Sequence, residues 1–220
     1  LDQFPDTLVV RVQPIIFSQL KLKDSDSKDT NVNTQIESAF INYYIWLSDQ
    51  LYLMYFHTDA SERNQNIAFL ACEYENLLYA LKLCLKYSRY DYTPILLTVN
   101  TFLEAKQKYS EKLKLAFSIK HIIEAESNTN HDINFRFCVV DINDAIGSSY
   151  FEMMLYDQAE IYFKIAFSKY EELELEKEFP QAKRKLYQNL AVVSNRQNKW
   201  KESNKYYQMM LNAAKNNEDH

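Results

Sequence analysis

Chemistry needs polar side chains that converge, and this chain offers few candidates. Its four histidines, His57, His121, His131 and His220, are scattered, with no H-E-x-x-H or other metal-ligand spacing. Carboxylates are plentiful. Asp141 and Asp144 lie three residues apart, and Glu171, Glu172, Glu174, Glu176 and Glu178 form a run that reads as the solvated face of a helix. No serine stands in a nucleophile-elbow context. The single glycine excludes both the P-loop and the dinucleotide fingerprint, which need several glycines where backbone approaches phosphate. Three cysteines, Cys72, Cys84 and Cys138, sit at wide spacing within apolar helical patterns. An odd number so placed fits buried free thiols in a reducing cytoplasm, not a disulfide framework or a zinc site. The sequence therefore predicts no catalytic residue, no metal and no cofactor.

Charge narrows the partners. A formal net charge of −5 lacks the basic footprint of a nucleic-acid binder. Two basic clusters, Lys106, Lys108, Lys112 and Lys114, and then Lys183, Arg184 and Lys185, have acids close by and read as solubilising surface. No apolar run approaches the roughly 18 residues of a membrane span. Leu1-Asp2-Gln3 lacks the basic and apolar regions of a signal peptide, so a cytoplasmic location is expected. A start at Leu1 rather than Met suggests a piece of something longer.

The elements that would position any site are helical. Besides the lone glycine, only Pro5, Pro14, Pro94 and Pro180 punctuate the chain, which disfavours hairpin-rich β structure and predicts an all-α fold. Residues 1–29, whose end falls in the polar run Asp24–Thr30, read as an N-terminal segment and linker or the end of a preceding domain. Residues 30–220 then follow a helical period. Ile36, Phe40, Tyr43, Leu47, Leu51 and Met54 mark one apolar face; Ile67, Leu70, Tyr74, Leu77, Leu81 and Cys84 mark the next. Asp59 and Glu62 have capping-box spacing, and Thr93 before Pro94 reads as an N-cap. Further helices are predicted over 94–108, 110–126, 132–154, 157–178, 181–197 and 199–216. Short loops make neighbours antiparallel, giving about four helical hairpins. Asn and Asp in the loops are expected to take the left-handed conformation that glycine usually supplies.

The last two hairpins repeat. Gly147, Tyr150, Ala159, Phe163 and Ala166 are similar to the small-and-large pattern of the tetratricopeptide repeat, and Ala191, Ser194, Ser203, Tyr207 and Met210 form a second copy. In such a hairpin Gly147 and Ala159 let two helices approach while Tyr150 and Phe163 fill the wedge. The offset is 191 − 147 = 44 residues, against about 34 in the standard repeat, so the excess should lengthen the second helix and its loop around Glu171–Pro180. The resemblance implies a right-handed α-α superhelix, a tetratricopeptide-like solenoid spanning 30–220.

Glu73-Tyr74-Glu75-Asn76-Leu77-Leu78-Tyr79-Ala80-Leu81 resembles the E-x-x-N-L-x-x-A-L segment near the start of tetratricopeptide sensor regions in bacterial STAND-type (NB-ARC-like) signalling NTPases. Tyr43-Tyr44 is similar to the aromatic helix before it, and Val12-Gln13-Pro14-Ile15 to the end of the preceding winged-helix module. The resemblance implies the sensor half of a larger signalling protein whose nucleotide-binding half lies outside this chain. The same residues also admit a structural role, with Asn76 bonded to backbone at a helix crossing. Tyr87, Tyr90 and Tyr92, around a predicted loop, are expected to cover a hairpin end or to contact the rest of the parent protein.

In a solenoid of this kind the first helix of each hairpin lines the concave recognition face. Threading the repeat puts Asp141, Asp144, Ser148, Phe151 and Glu152 there in one hairpin, and Lys185, Asn189, Val192, Asn195 and Arg196 in the next. An acidic patch beside a basic-polar one suits a protein or extended peptide of mixed charge. Reversing Asp144 or Arg196 should then weaken binding without loss of stability. The expected function is a non-catalytic protein- or peptide-binding scaffold. Alternatives are a free-standing peptide-responsive regulator, or the ligand-sensing part of a DNA-binding activator.

Overall fold

The computed structural model of the chain describes residues 30–57, 60–126 and 132–218. These residues form eight α-helices and no strand: α1 Thr30–His57, α2 Ala60–Lys86, α3 Thr93–Ala105, α4 Tyr109–Glu126, α5 Ile133–Glu152, α6 Tyr156–Glu172, α7 Pro180–Arg196 and α8 Trp200–Glu218. The all-α expectation holds for the described residues. The 1–29 segment, Asp59 of the expected capping box, His131 and His220 lie outside them. The described residues divide into two compact units, with the boundary between Phe102 and Leu103 near the end of α3.

In the first unit α1 and α2 run antiparallel. The buried face of α1 is Glu37, Ile41, Tyr44, Leu47, Ser48 and Leu51: Leu47 and Leu51 are buried as expected, while earlier in the helix the face lies one residue round and Ile36 and Tyr43 are exposed. The rotation has a polar cause. The Tyr44 hydroxyl donates to Glu73 Oε2 on α2 at 2.6 Å, and Glu37 accepts from Lys86 Nζ at 3.1 Å and from the Tyr87 hydroxyl. Both contacts, to Glu73 Oε2 and to Glu37 Oε2, are made in the rotated register. α3 packs on the pair, with Thr98 Oγ1 donating to the Ser48 carbonyl at 3.2 Å and Phe102 set against Tyr74 at 4.8 Å between centroids. Tyr90 and Tyr92 are buried beside the α2–α3 turn, as cover for a hairpin end requires. Cys84 is buried as expected, but Cys72 lies on the exposed side of α2.

In the second unit α4 to α8 follow one another, each packed against the next in the α4–α5, α5–α6, α6–α7 and α7–α8 pairs. α5 starts at Asp132, whose carboxylate accepts from the backbone N–H groups of Asn134 and Phe135 at 2.7 and 3.1 Å. Proline opens α7. Gly147 is helical and buried at the α5–α6 crossing, where a β-carbon would lie 2.6 Å from Cδ1 of Phe163. At the crossing of α7 and α8, the buried Ser203 hydroxyl donates to the Ala191 carbonyl at 2.9 Å, which satisfies it there. α6 stops at Glu172, short of the predicted 178. Residues 173–178 turn instead, because Leu175 folds back into a core with Val140, Ala166, Tyr170 and Leu186. The segment expected to lengthen both the helix and its loop therefore forms a turn and no further helix.

Five helices end in the same way. Ser88, Gln107, Met154, Glu174 and Asn198 have φ between 48° and 60°. In each case the next residue's N–H reaches back to the carbonyl five residues before it, as in Arg89 to Cys84 and Leu155 to Tyr150, both at 2.9 Å. These are Schellman caps, which glycine normally closes because a β-carbon is unfavourable at positive φ. Only Asn198 is of the expected Asn or Asp type.

Candidate functional site

The residues threaded onto one face from sequence are divided by the structure. Four come together in a polar seam between α5 and α7. Asp144 is the hub: its Oδ2 lies 2.8 Å from Lys185 Nζ, and its Oδ1 accepts from Asn189 Nδ2 at 2.6 Å. Asp141, one turn earlier on α5, faces the same seam and feels both Lys185 and Asp144. Helix geometry explains the set. Positions 141 and 144 share one face of α5, as 185 and 189 share one face of α7.

The seam is not the open acidic patch that the sequence suggested. Asp144 is 3% exposed and Asp141 9%. Burial raises the Asp141 carboxyl above its ordinary value; Lys185 opposes that shift and Asp144 adds to it. Reversal of Asp144 would set a second cation against Lys185 and remove the acceptor of Asn189, so it cannot leave stability untouched. Lys185 differs in kind. Its side chain is 53% exposed, so an ammonium reachable from water caps the seam.

The other threaded residues are scattered. Phe151 packs into the core around Ala159, Phe163, Leu190 and Val193, with its ring 5.4 Å from Tyr156, and offers little surface. Ser148 and Val192 are half-buried, and Asn195 and Arg196 are exposed at the end of α7. Glu152 belongs to a separate group. It is exposed as a residue, yet desolvation of its carboxyl, reinforced by Glu104, raises it, and Lys112 pulls it down.

No protein-family model, curated protein or solved structure matches the chain. What the site can do follows from its chemistry alone.

Several polar groups escaped sequence reasoning. Lys112, expected on the surface, is 2% exposed and ion-paired with Glu104. Its basic neighbours concealed it, since nothing in a run of lysines marks which one turns inward. Glu160 on α6 takes Lys164 Nζ at 2.6 Å and Lys199 Nζ at 2.7 Å. Burial would raise its carboxyl, but the hydrogen bonds from Lys164, Lys199 and Gln197 outweigh it and bring it down to about 2. Lys120 donates to Asn143 Oδ1 at 2.7 Å. In the first unit Asn76 Nδ2 donates to Glu73 Oε2 at 2.9 Å, so Asn76 braces a carboxylate at the helix crossing rather than backbone.

Among the described residues no three His, Cys, Asp or Glu side chains are grouped to hold a metal ion. No described helix is long and apolar enough to cross a membrane. A cleft of about 190 Å³ between α7 and α8, lined by Pro180, Lys183, Tyr187 and Met209, is smaller than the 300 Å³ or so of typical small-molecule sites.

Proposed function

We propose that the chain is a non-catalytic scaffold of tetratricopeptide-like hairpins that binds a protein or an extended peptide. Its place would be the sensor part of a larger, cytoplasmic bacterial signalling protein. The observation that carries this is the bridge from Asp144 to Lys185 and Asn189, which joins the first helices of two successive hairpins along one face. The hairpins also repeat in register. The caps at Met154 and Asn198 are 198 − 154 = 44 residues apart, the spacing of Gly147 and Ala191. A right-handed superhelix with α5 and α7 on its concave side is the arrangement this period supports.

The test is selection of random nonapeptides displayed on phage against the full chain, followed by photo-crosslinking. A benzophenone placed at Asn195 on α7 should capture the selected peptides, and one at Lys201 on α8 should not; both positions are exposed. Selection of no peptide, or equal capture from α8, would overturn the proposal.

A further inference from the structure

The seam contains two carboxylates and one ammonium. Both oxygens of Asp144 are engaged, one by Lys185 and the other by Asn189. Asp141 is nine-tenths buried and accepts no hydrogen bond from any described residue; Lys185 and Asp144 act on it only through space. Lys185 thus offsets only part of the burial that raises the Asp141 carboxyl, and a second cation beside it would favour the ionised form. The lysine that opposes the pair has a side chain about half exposed, so its ammonium is already reached by water. A planar guanidinium carries enough donors to engage two neighbouring carboxylates, which a single ammonium cannot span as well.

From this arrangement we infer that Asp141 and Asp144 form a receptor for a basic side chain, best an arginine, of the bound peptide, and that Lys185 holds that cation's place in the free protein. The inference rests on the binding face proposed above and gives it a specificity. On binding, the incoming guanidinium takes the free Asp141 carboxylate and the Asp144 oxygen that Lys185 vacates. Asn189 stays on the other Asp144 oxygen and fixes its orientation.

The peptides selected on phage provide the probe. They should be enriched in arginine or lysine, and replacing that residue by citrulline, which keeps shape and loses charge, should weaken binding at least tenfold in fluorescence anisotropy. Asp141→Asn should weaken the arginine peptide by a similar factor with an unchanged or higher melting temperature, since it removes a carboxyl that burial disfavours in its charged form. Lys185→Ala should tighten binding several-fold by removing the internal competitor. Selected peptides without basic enrichment, equal affinity for arginine and citrulline forms, or full affinity in Asp141→Asn would overturn the receptor while leaving peptide binding by this face intact. Weaker binding in Lys185→Ala would also overturn it, because the lysine would then be a contact and not a placeholder. Failure to select any peptide would instead remove the binding face itself.

Discussion

Replacing Gly147 by alanine sets two terms of opposite sign against each other. Alanine in a helix interior is favoured over glycine by about 1 kcal/mol. Here, however, the added methyl would lie 2.6 and 2.7 Å from Cδ1 and Cε1 of Phe163, about 0.7 Å inside ordinary van der Waals contact. The ring cannot easily retreat, because Phe163 is buried among Ala159, Leu190 and Val193. Overpacking of this kind costs roughly 1–3 kcal/mol, so Gly147→Ala should destabilise by up to about 2 kcal/mol net. Phe163→Leu removes the offending ring atoms at a cost of its own, roughly 1–2 kcal/mol. In the double variant the clash is gone and the helix gain remains, so the two substitutions should couple favourably by roughly 1–3 kcal/mol. Urea unfolding of the four proteins, followed by far-ultraviolet circular dichroism, measures the cycle. If Gly147→Ala were stabilising by the full helix-propensity gain, with no coupling to Phe163→Leu, the close-packing argument would be refuted.

The strained caps predict the opposite response to glycine. Met154→Gly, at a residue 75% exposed and without packing to lose, should raise stability by about 0.5–1 kcal/mol, and Asn198→Gly by less, as a thermal melt would show. Glu160 makes part of the stability acid-labile. Its folded value of about 2 lies below the ordinary 4.5, so its contribution is whole above pH 4.5 and disappears as pH falls towards 2. Allowing for its solvent-facing lysines, Glu160→Gln should cost about 2 kcal/mol at neutral pH, and the deficit should vanish near pH 2; a pH-independent deficit would contradict the ion-pair account. Tyr44→Phe leaves a buried Glu73 carboxylate without one of its donors and should destabilise by roughly 1–3 kcal/mol, read as a lower urea midpoint.

The features legible in the sequence are those set by local rules. Helical periodicity, the proline that opens α7 and the short loops placed every described helix start from α3 onwards within a residue or so. Gly147 could be recognised as a packing residue because nothing near it needs a turn. The misplacements all involve partners distant in sequence. The face of α1 is turned by Glu73, Lys86 and Tyr87, residues 29 to 50 positions away, against an apolar pattern that is nearly as good one residue round. Lys112 and Asp144 were assigned to surfaces because their burial depends on single countercharges elsewhere, Glu104 and Lys185. The turn at 173–178 escaped notice because Leu175 looks like a continuation of α6 until the core it enters is known. At the candidate site, four of the ten residues that threading places on one face meet in the seam, which is a paired and largely buried cluster and not an open surface.

Scarcity of glycine has a consequence beyond the folded state. A chain of 220 residues would ordinarily carry roughly 15 glycines, and this one has a single example. Each glycine replaced by a residue with a β-carbon narrows the conformations open to the denatured chain, an effect worth about 0.4–1 kcal/mol where the native backbone accepts it. At the five left-handed caps the backbone does not accept it readily, and the folded form bears the strain. Along the helices it does, and the entropy that must be surrendered on folding is smaller from the outset. The helical fold thus draws part of its stability from a stiffer starting ensemble rather than from any contact in the native structure.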